Sequence, residues 1–170
     1  YKIIDVIKIA NQWNALKDGN TYVPVYWMAS EDHDFKEINH FSVNGQSIHW
    51  SSEQQGPVGR LSSEGLGQVL EVWKQHLGDR PHAEKLQDLF AQSYVAHSNL
   101  TDATRFLVHQ LFGRYGLVIV DGDDARLKQE FVPYLQRECD EQLIQKGSET
   151  TMEKLNDALH TKCKAQVNPR

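Results

Sequence analysis

The sequence predicts an α/β fold built around a parallel sheet. Two short apolar runs, residues 22–28 and 117–120, each end in a knot of acidic residues. Each run follows a helical stretch that glycine closes, Gly19 in one case and Gly116 in the other. Between them, apolar residues recur at the helical spacing of three and four. Apolar strands alternating with such helices are how a parallel sheet reads in sequence.

Taken in order, residues 2–17 place Ile3, Ile4, Ile7, Ala10 and Trp13 on one helical face, and Gly19-Asn20 ends that helix. Residues 22–28 read as a buried strand, with Pro24 near the start where a missing donor costs least. Phe41-Ser42-Val43 and Ser47-Ile48-His49-Trp50 flank Asn44-Gly45, a hairpin signal because both turn positions favour positive φ. A loop over 51–61 carries Gly56-Pro57-Val58-Gly59-Arg60. Helical spacing resumes with Leu66, Val69, Leu70, Trp73 and Leu77, closed by Gly78. Pro81 opens the next helix, whose buried stripe is Leu86, Leu89, Phe90 and Tyr94. Thr101 is the expected N-cap of a third helix that turns Ala103, Phe106, Leu107 and Leu111 inward. Trp73, Phe90 and Phe106, at helical spacing, read as core. Beyond the second strand, Asp124 caps a helix through Leu127, Phe131 and Leu135, with Pro133 as a kink or restart. Gly147-Ser148 is expected to break the last segment, and Thr150-Thr151-Met152-Glu153 to supply a capping box for a final helix.

A chain of 170 residues, 39% hydrophobic and 24% charged, can bury one domain's core and is not composed like a disordered segment. Its net charge of −5 argues against nucleic acid as a partner, since no basic stripe exists to replace counterions. No apolar run approaches the length of a membrane span, and no signal-peptide pattern opens the sequence. Two cysteines, Cys139 and Cys163, cannot build a disulfide framework, so a reducing cytoplasm is the expected location. The sequence opens in what reads as mid-helix and closes on 167–170 as if entering a new element. An internal fragment of a longer protein is therefore expected. Three regions are expected: a core part with the hairpin over 1–61, a helical connecting segment over 62–115, and a core strand with trailing helices over 116–170.

The chemistry is expected where the first strand ends. Glu31, Asp32, His33 and Asp34, then Asn39 and His40, crowd within ten positions. Holding charges together costs desolvation and repulsion, so such a knot needs a purpose. The spacing matches neither a His-Glu-x-x-His helix nor a Cys/His finger, and no metal is assigned to it. Imidazoles beside carboxylates could instead orient an amine and shuttle a proton. The plainer alternative is a loop whose acids cap a helix. Asp121-Gly122-Asp123-Asp124 could meet a ribose, a sugar or Mg²⁺ accompanying a nucleotide, or could simply cap the next helix. Lys128 could reach a phosphate, or sit on a solvated helix face. The loop ending in Arg60 could offer backbone N–H groups and a guanidinium to an anion, or merely connect hairpin and helix. Both cysteines sit on polar helical stretches, and neither reads as a nucleophile. In a doubly wound sheet both acidic strand ends would open on one edge and line one crevice.

The string from Val23 to Phe35 with Glu37-Ile38-Asn39-His40 resembles the bacillithiol biosynthesis cysteine-adding enzyme family. A second block, Leu111 to Asp121 with Asp123-Asp124 and Leu127-Lys128, is similar to that family too, as are Gly56-Pro57-Val58-Gly59 and the closing 166–170. The likeness covers essentially the whole chain. It implies a Rossmann-like core related to nucleotidyltransferases, carrying a β-hairpin and a helical insertion, from a several-fold longer protein with a coiled coil. The implied activity is amide formation between the carboxyl of L-cysteine and the amine of glucosaminyl-malate, the last step of bacillithiol synthesis. Activating a carboxylate in water implies ATP, with or without Mg²⁺, through an adenylate or acyl phosphate. On that reading His33 or His40 takes the amine's proton, and Asp32 and Asp34 hold an ammonium group. Glu31 and Asn39 bind substrate, and Arg60 meets the malate carboxylates. Asp121, Asp123 and Lys128 face the cofactor. The full-length enzyme is expected to be a homodimer, with neither nucleic acid nor membrane as partner. A metal-dependent hydrolase and a non-catalytic sugar-binding module remain the alternatives.

Overall fold

The computed structural model describes residues 1–159. Cys163 and the segment 166–170 lie outside the described residues. The chain forms one compact unit over 1–123 and a second from Asp124 onward.

The first unit opens with helix α1 (Lys2–Asn14), which buries Ile7 and Ala10. Trp13, expected on that face, lies half exposed at its edge, its ring 5.1 Å from that of Tyr22 in an edge-to-face pair. The Asn14 side-chain amide brackets the Tyr22 backbone, donating to its carbonyl at 2.8 Å and accepting from its N–H at 2.9 Å. That clamp fixes where the chain turns into strand β1 (Val25–Met28).

Strand β1 pairs in parallel with strand β4 (Val118–Asp121), with Val25 opposite Val118 and Met28 opposite Asp121. Tyr26 and Ile119 pack on a cluster of Ile7, Val108 and Leu117. Val25, Trp27 and Val118, on alternate positions, are each more than 40% exposed. The first strand was expected to be buried throughout. The structure corrects this, because the unit lays its helices on one sheet face only.

The hairpin forms where the sequence places it. Strands β2 (His40–Val43) and β3 (Gln46–His49) pair antiparallel across Asn44 and Gly45, at φ 53° and 78°. They close over helix α3 (Leu66–Leu77), and Ile48, Trp50, Val58, Leu61, Leu66, Val69 and Leu100 form the larger core. Helix α4 (Ala83–Phe90) runs on through a π turn, Ala91–Val95, in which Ser93 is wholly buried and donates to the Leu89 carbonyl at 2.6 Å. Phe90 and Tyr94 pack inward, but Leu86 is exposed.

Helix α5 (Leu100–Phe112) is capped by Asn99, whose side chain accepts from the Asp102 N–H at 2.8 Å. Thr101, the expected cap, instead lies in the first turn. Asn99 reaches the free amides first, from an extended backbone (φ −143°, ψ 162°). Ala103 and Val108 are buried, and Leu111 is exposed.

In the second unit, Asp124 caps helix α6 (Ala125–Glu130) through the Arg126 N–H. The hydrogen-bonded Arg126 guanidinium holds that carboxyl far below the usual range. Pro133 sits in the first turn of helix α7 (Val132–Glu141), which makes it a restart. Helix α8 (Leu143–Leu159) passes straight through Gly147-Ser148, against expectation. Thr150 and Thr151 do not cap. Their hydroxyls donate to the carbonyls of Lys146 and Gly147 four residues back, a bond a mid-helix threonine makes readily. Among the described residues no helix is long and apolar enough to cross a membrane.

Candidate functional site

The parallel pairing of β1 and β4 brings their carboxyl ends side by side. Two residues past Met28, Ser30 is 3% exposed and its hydroxyl donates to the Asp121 carboxylate. The Asp123 N–H donates to Asp121 Oδ1 at 2.9 Å and to Ser30 Oγ at 3.2 Å. The Gly122 N–H returns to the Met28 carbonyl at 3.1 Å, which locks the second strand end onto the first. Two guanidinium groups neutralise the carboxylates. Arg105 Nη2, from α5, lies 3.4 Å from Asp121 Oδ2. Arg60 grips Asp123 with both Nε and Nη2, the latter 3.0 Å from Oδ1, and that carboxylate raises the Arg60 pKa above its ordinary value. A forked pair of this kind fixes both side chains in one plane.

The glycine loop is stitched to the same place. The Val58 N–H donates to the Asp32 carbonyl at 2.6 Å and the Gly59 N–H to the Ser30 carbonyl at 2.9 Å. Those two amides are therefore spent on the fold and do not face an anion. Gly59 must lack a side chain, since a Cβ there would stand 2.5 Å from Ser30 Cβ and collide with the Thr101 hydroxyl.

The acidic knot itself divides. Asp32 Oδ1 accepts from the N–H groups of His33 and Asp34, and Asp34 caps the short helix α2 (Phe35–Ile38) through the N–H groups of Lys36 and Glu37. The His33 side chain is 91% exposed. Glu31 packs over Gly122 and accepts from the Trp27 indole at 3.3 Å. Asn39 and His40 turn the other way, into the wall of a cavity of about 370 Å³. His40 Nδ1 lies 3.1 Å from Asn39 Oδ1, and its ring stacks on His49 with centroids 5.4 Å apart. A donor hydrogen on Nδ1 leaves Nε2 as the basic nitrogen. The cavity lies between the end of β1, the hairpin, α3 and the first turn of α5. Its floor is Met28, Val58, Leu66, Val69 and Leu100, and its walls include Phe41, Trp50, Phe90 and Tyr94.

Among the described residues, no three His, Cys, Asp or Glu side chains gather into a metal-binding group. Lys128 belongs to the second unit, on helix α6. Sequence reasoning missed Ser30 and Arg105. Ser30 directly precedes the acidic string, and the charges that follow it carry the stronger signal. Arg105 had a signal, being the one Lys or Arg in the thirteen residues of α5.

A parallel strand pair whose polar carboxyl ends flank a cavity defines the chain as a Rossmann-like α/β domain. All 170 residues match the family model described as bacillithiol biosynthesis BshC, N-terminal Rossmann-like domain, and the chain belongs to that family. A relative from Flavobacterium johnsoniae, named "Putative cysteine ligase BshC", is 46% identical over 170 residues, covering 100% of this chain and 31% of the relative. Relatives of the same name from Cytophaga hutchinsonii and Staphylococcus saprophyticus are 38% and 26% identical, over 99% and 81% of this chain and 30% and 27% of their own lengths. The chain thus spans less than a third of the curated relatives' length.

Proposed function

We propose that this domain carries part of the active site of a ligase that joins L-cysteine to the amine of glucosaminyl-malate, the last step of bacillithiol synthesis, at the expense of ATP. The observation that carries the reading is the strand-end crevice. A neutralised Arg60–Asp123 and Arg105–Asp121 array stands beside a wall bearing an imidazole. Amide formation needs charged reactants held close and one proton removed from the attacking amine. His40 Nε2 is the candidate base, since His40 stands at the exposed rim of the cavity, whereas the His33 side chain is 91% exposed and away from it.

The donor set fits ATP: Arg105 is the group that would hold its phosphates, while Arg60 is kept for the malate carboxylates. ATP supplies the activation of the cysteine carboxyl. Arg60, Asp121 and Asp123 exchange their mutual pairs for substrate carboxylate and ammonium groups, and Asn39 supplies an amide to a hydroxyl. Asp32, Asp34 and Glu31 support the crevice by shaping the turn around it. The working enzyme is a cytoplasmic homodimer on this reading.

The test is thiol formation from cysteine, ATP and glucosaminyl-malate by the full-length enzyme. His40→Gln is expected to lower the rate by about 10²–10⁴-fold, the usual contribution of a general base, with the circular dichroism spectrum unchanged. His33→Gln is expected to stay near normal. Turnover unaffected by His40→Gln would remove the assigned base.

A further inference from the structure

The cavity beside the strand ends has an unusual inventory. None of its lining residues is Asp, Glu, Lys or Arg, although the Arg60–Asp123 and Arg105–Asp121 pairs begin one residue or one hydrogen bond away, past Gly59 and Ser30. Charge is thus sorted at this site, with paired ions on one side and a neutral, aromatic-walled pocket on the other.

We propose that this pocket is the seat of an uncharged planar heterocycle, the purine base of a nucleotide. The assignment deepens the ligase reading and rests on it, giving the nucleotide's base a place apart from the charged reactants. At about 370 Å³ the cavity falls at the small end of sites for organic ligands, which run from about 300 to 1,000 Å³. Phe41, Trp50, Phe90 and Tyr94 offer flat faces and edges, surfaces on which a ring system stacks whatever its substituents.

Polar groups sit where a ring edge would need them. Tyr26, Tyr94, Thr101 and Thr104 line the cavity, and their hydroxyls have no hydrogen-bond partner among the described residues. Burial, and then the neighbouring Tyr94, pushes the Tyr26 pKa up, so its phenol stays a neutral donor. Zwitterionic cysteine or a malate dicarboxylate would fare badly here. Each would give up hydration and gain no carboxylate, ammonium or guanidinium counter-charge. Those groups belong on the arginine side.

Adenosine, which carries the base and no phosphate, is the probe. Calorimetric titration of the intact protein is expected to show saturable adenosine binding that ATP displaces and that cysteine and glucosamine do not. Thr104→Val, which keeps the shape and removes a hydroxyl, is expected to weaken adenosine several-fold. Val69→Phe, which fills the floor, is expected to weaken it at least about tenfold. Absence of saturable adenosine binding up to roughly 10 mM, or binding indifferent to both variants with their melting curves intact, overturns the assignment. The two readings fail separately. Adenosine binding without cysteine transfer removes the ligase, whereas cysteine transfer with adenosine binding indifferent to both variants removes the pocket's occupant.

Discussion

Gly59 shows how a single missing side chain holds the site together. Its amide bonds to Ser30, and its Cα lies against Ser30 and Thr101, so the loop, the β1 end and the α5 start meet at one point. Gly59→Ala is expected to destabilise the protein by about 1–3 kcal/mol, the usual cost of overpacking, measured by denaturant titration. Gly122→Ala is expected to cost less, since its Cβ would meet only the far end of the flexible Glu31 side chain. Tyr26 gives a pH signature. Its pKa is raised in the fold, so the neutral phenol's contribution is complete below the unfolded value near 10 and is lost as pH rises through the folded one. Tyr26→Phe is expected to flatten the alkaline limb of a stability–pH profile. At this scale the sequence exposed the candidates without sorting them. Asp32 and Asp34 end on backbone amides while His40 and Asn39 face the cavity, and all four are polar residues of one nine-residue stretch, 32–40. A carboxylate's role depends on which N–H groups the folded backbone aims at it, and no spacing rule encodes that.

Among elements, local signals held where the chemistry was unique to one conformation. Asn44-Gly45 demands positive φ twice and takes it, so the hairpin register follows from two residues. Caps were less determinate, because several residues near a helix start can accept the same amide. Asn99 caps α5 in place of Thr101, so Asn99→Ala is expected to cost about 1 kcal/mol in thermal or chemical denaturation. Thr101→Ala is expected to cost only a fraction of that. In α8 the run from Thr150 to Glu153 has the spelling of a capping box, yet both threonines bond back along an unbroken helix. Whether a threonine caps or bonds back is settled by whether the preceding turn is helical, and Gly147-Ser148 proved too weak a break.

Over the whole first unit, the helices cover one face of the β1–β4 pair and leave Val25, Trp27 and Val118 open. An exposed apolar strip on a short parallel sheet invites self-association. Trp27→Lys is expected to lower light scattering of the concentrated chain while shifting stability by no more than about 0.5 kcal/mol, as for a surface change. A rise in scattering would show that the strip is covered in solution. The sequence by itself determined the alternation of helix and strand, the hairpin and the convergence of two acidic strand ends. Those follow from periodicity, turn stereochemistry and the pairing habits of apolar strands, which are local properties. Only the tertiary structure decided that Ser30, Arg60 and Arg105 stand with Asp121 and Asp123, and that His40 and Asn39 border an uncharged cavity. Those neighbours lie up to 93 residues apart in sequence, and their meeting is fixed by packing between elements.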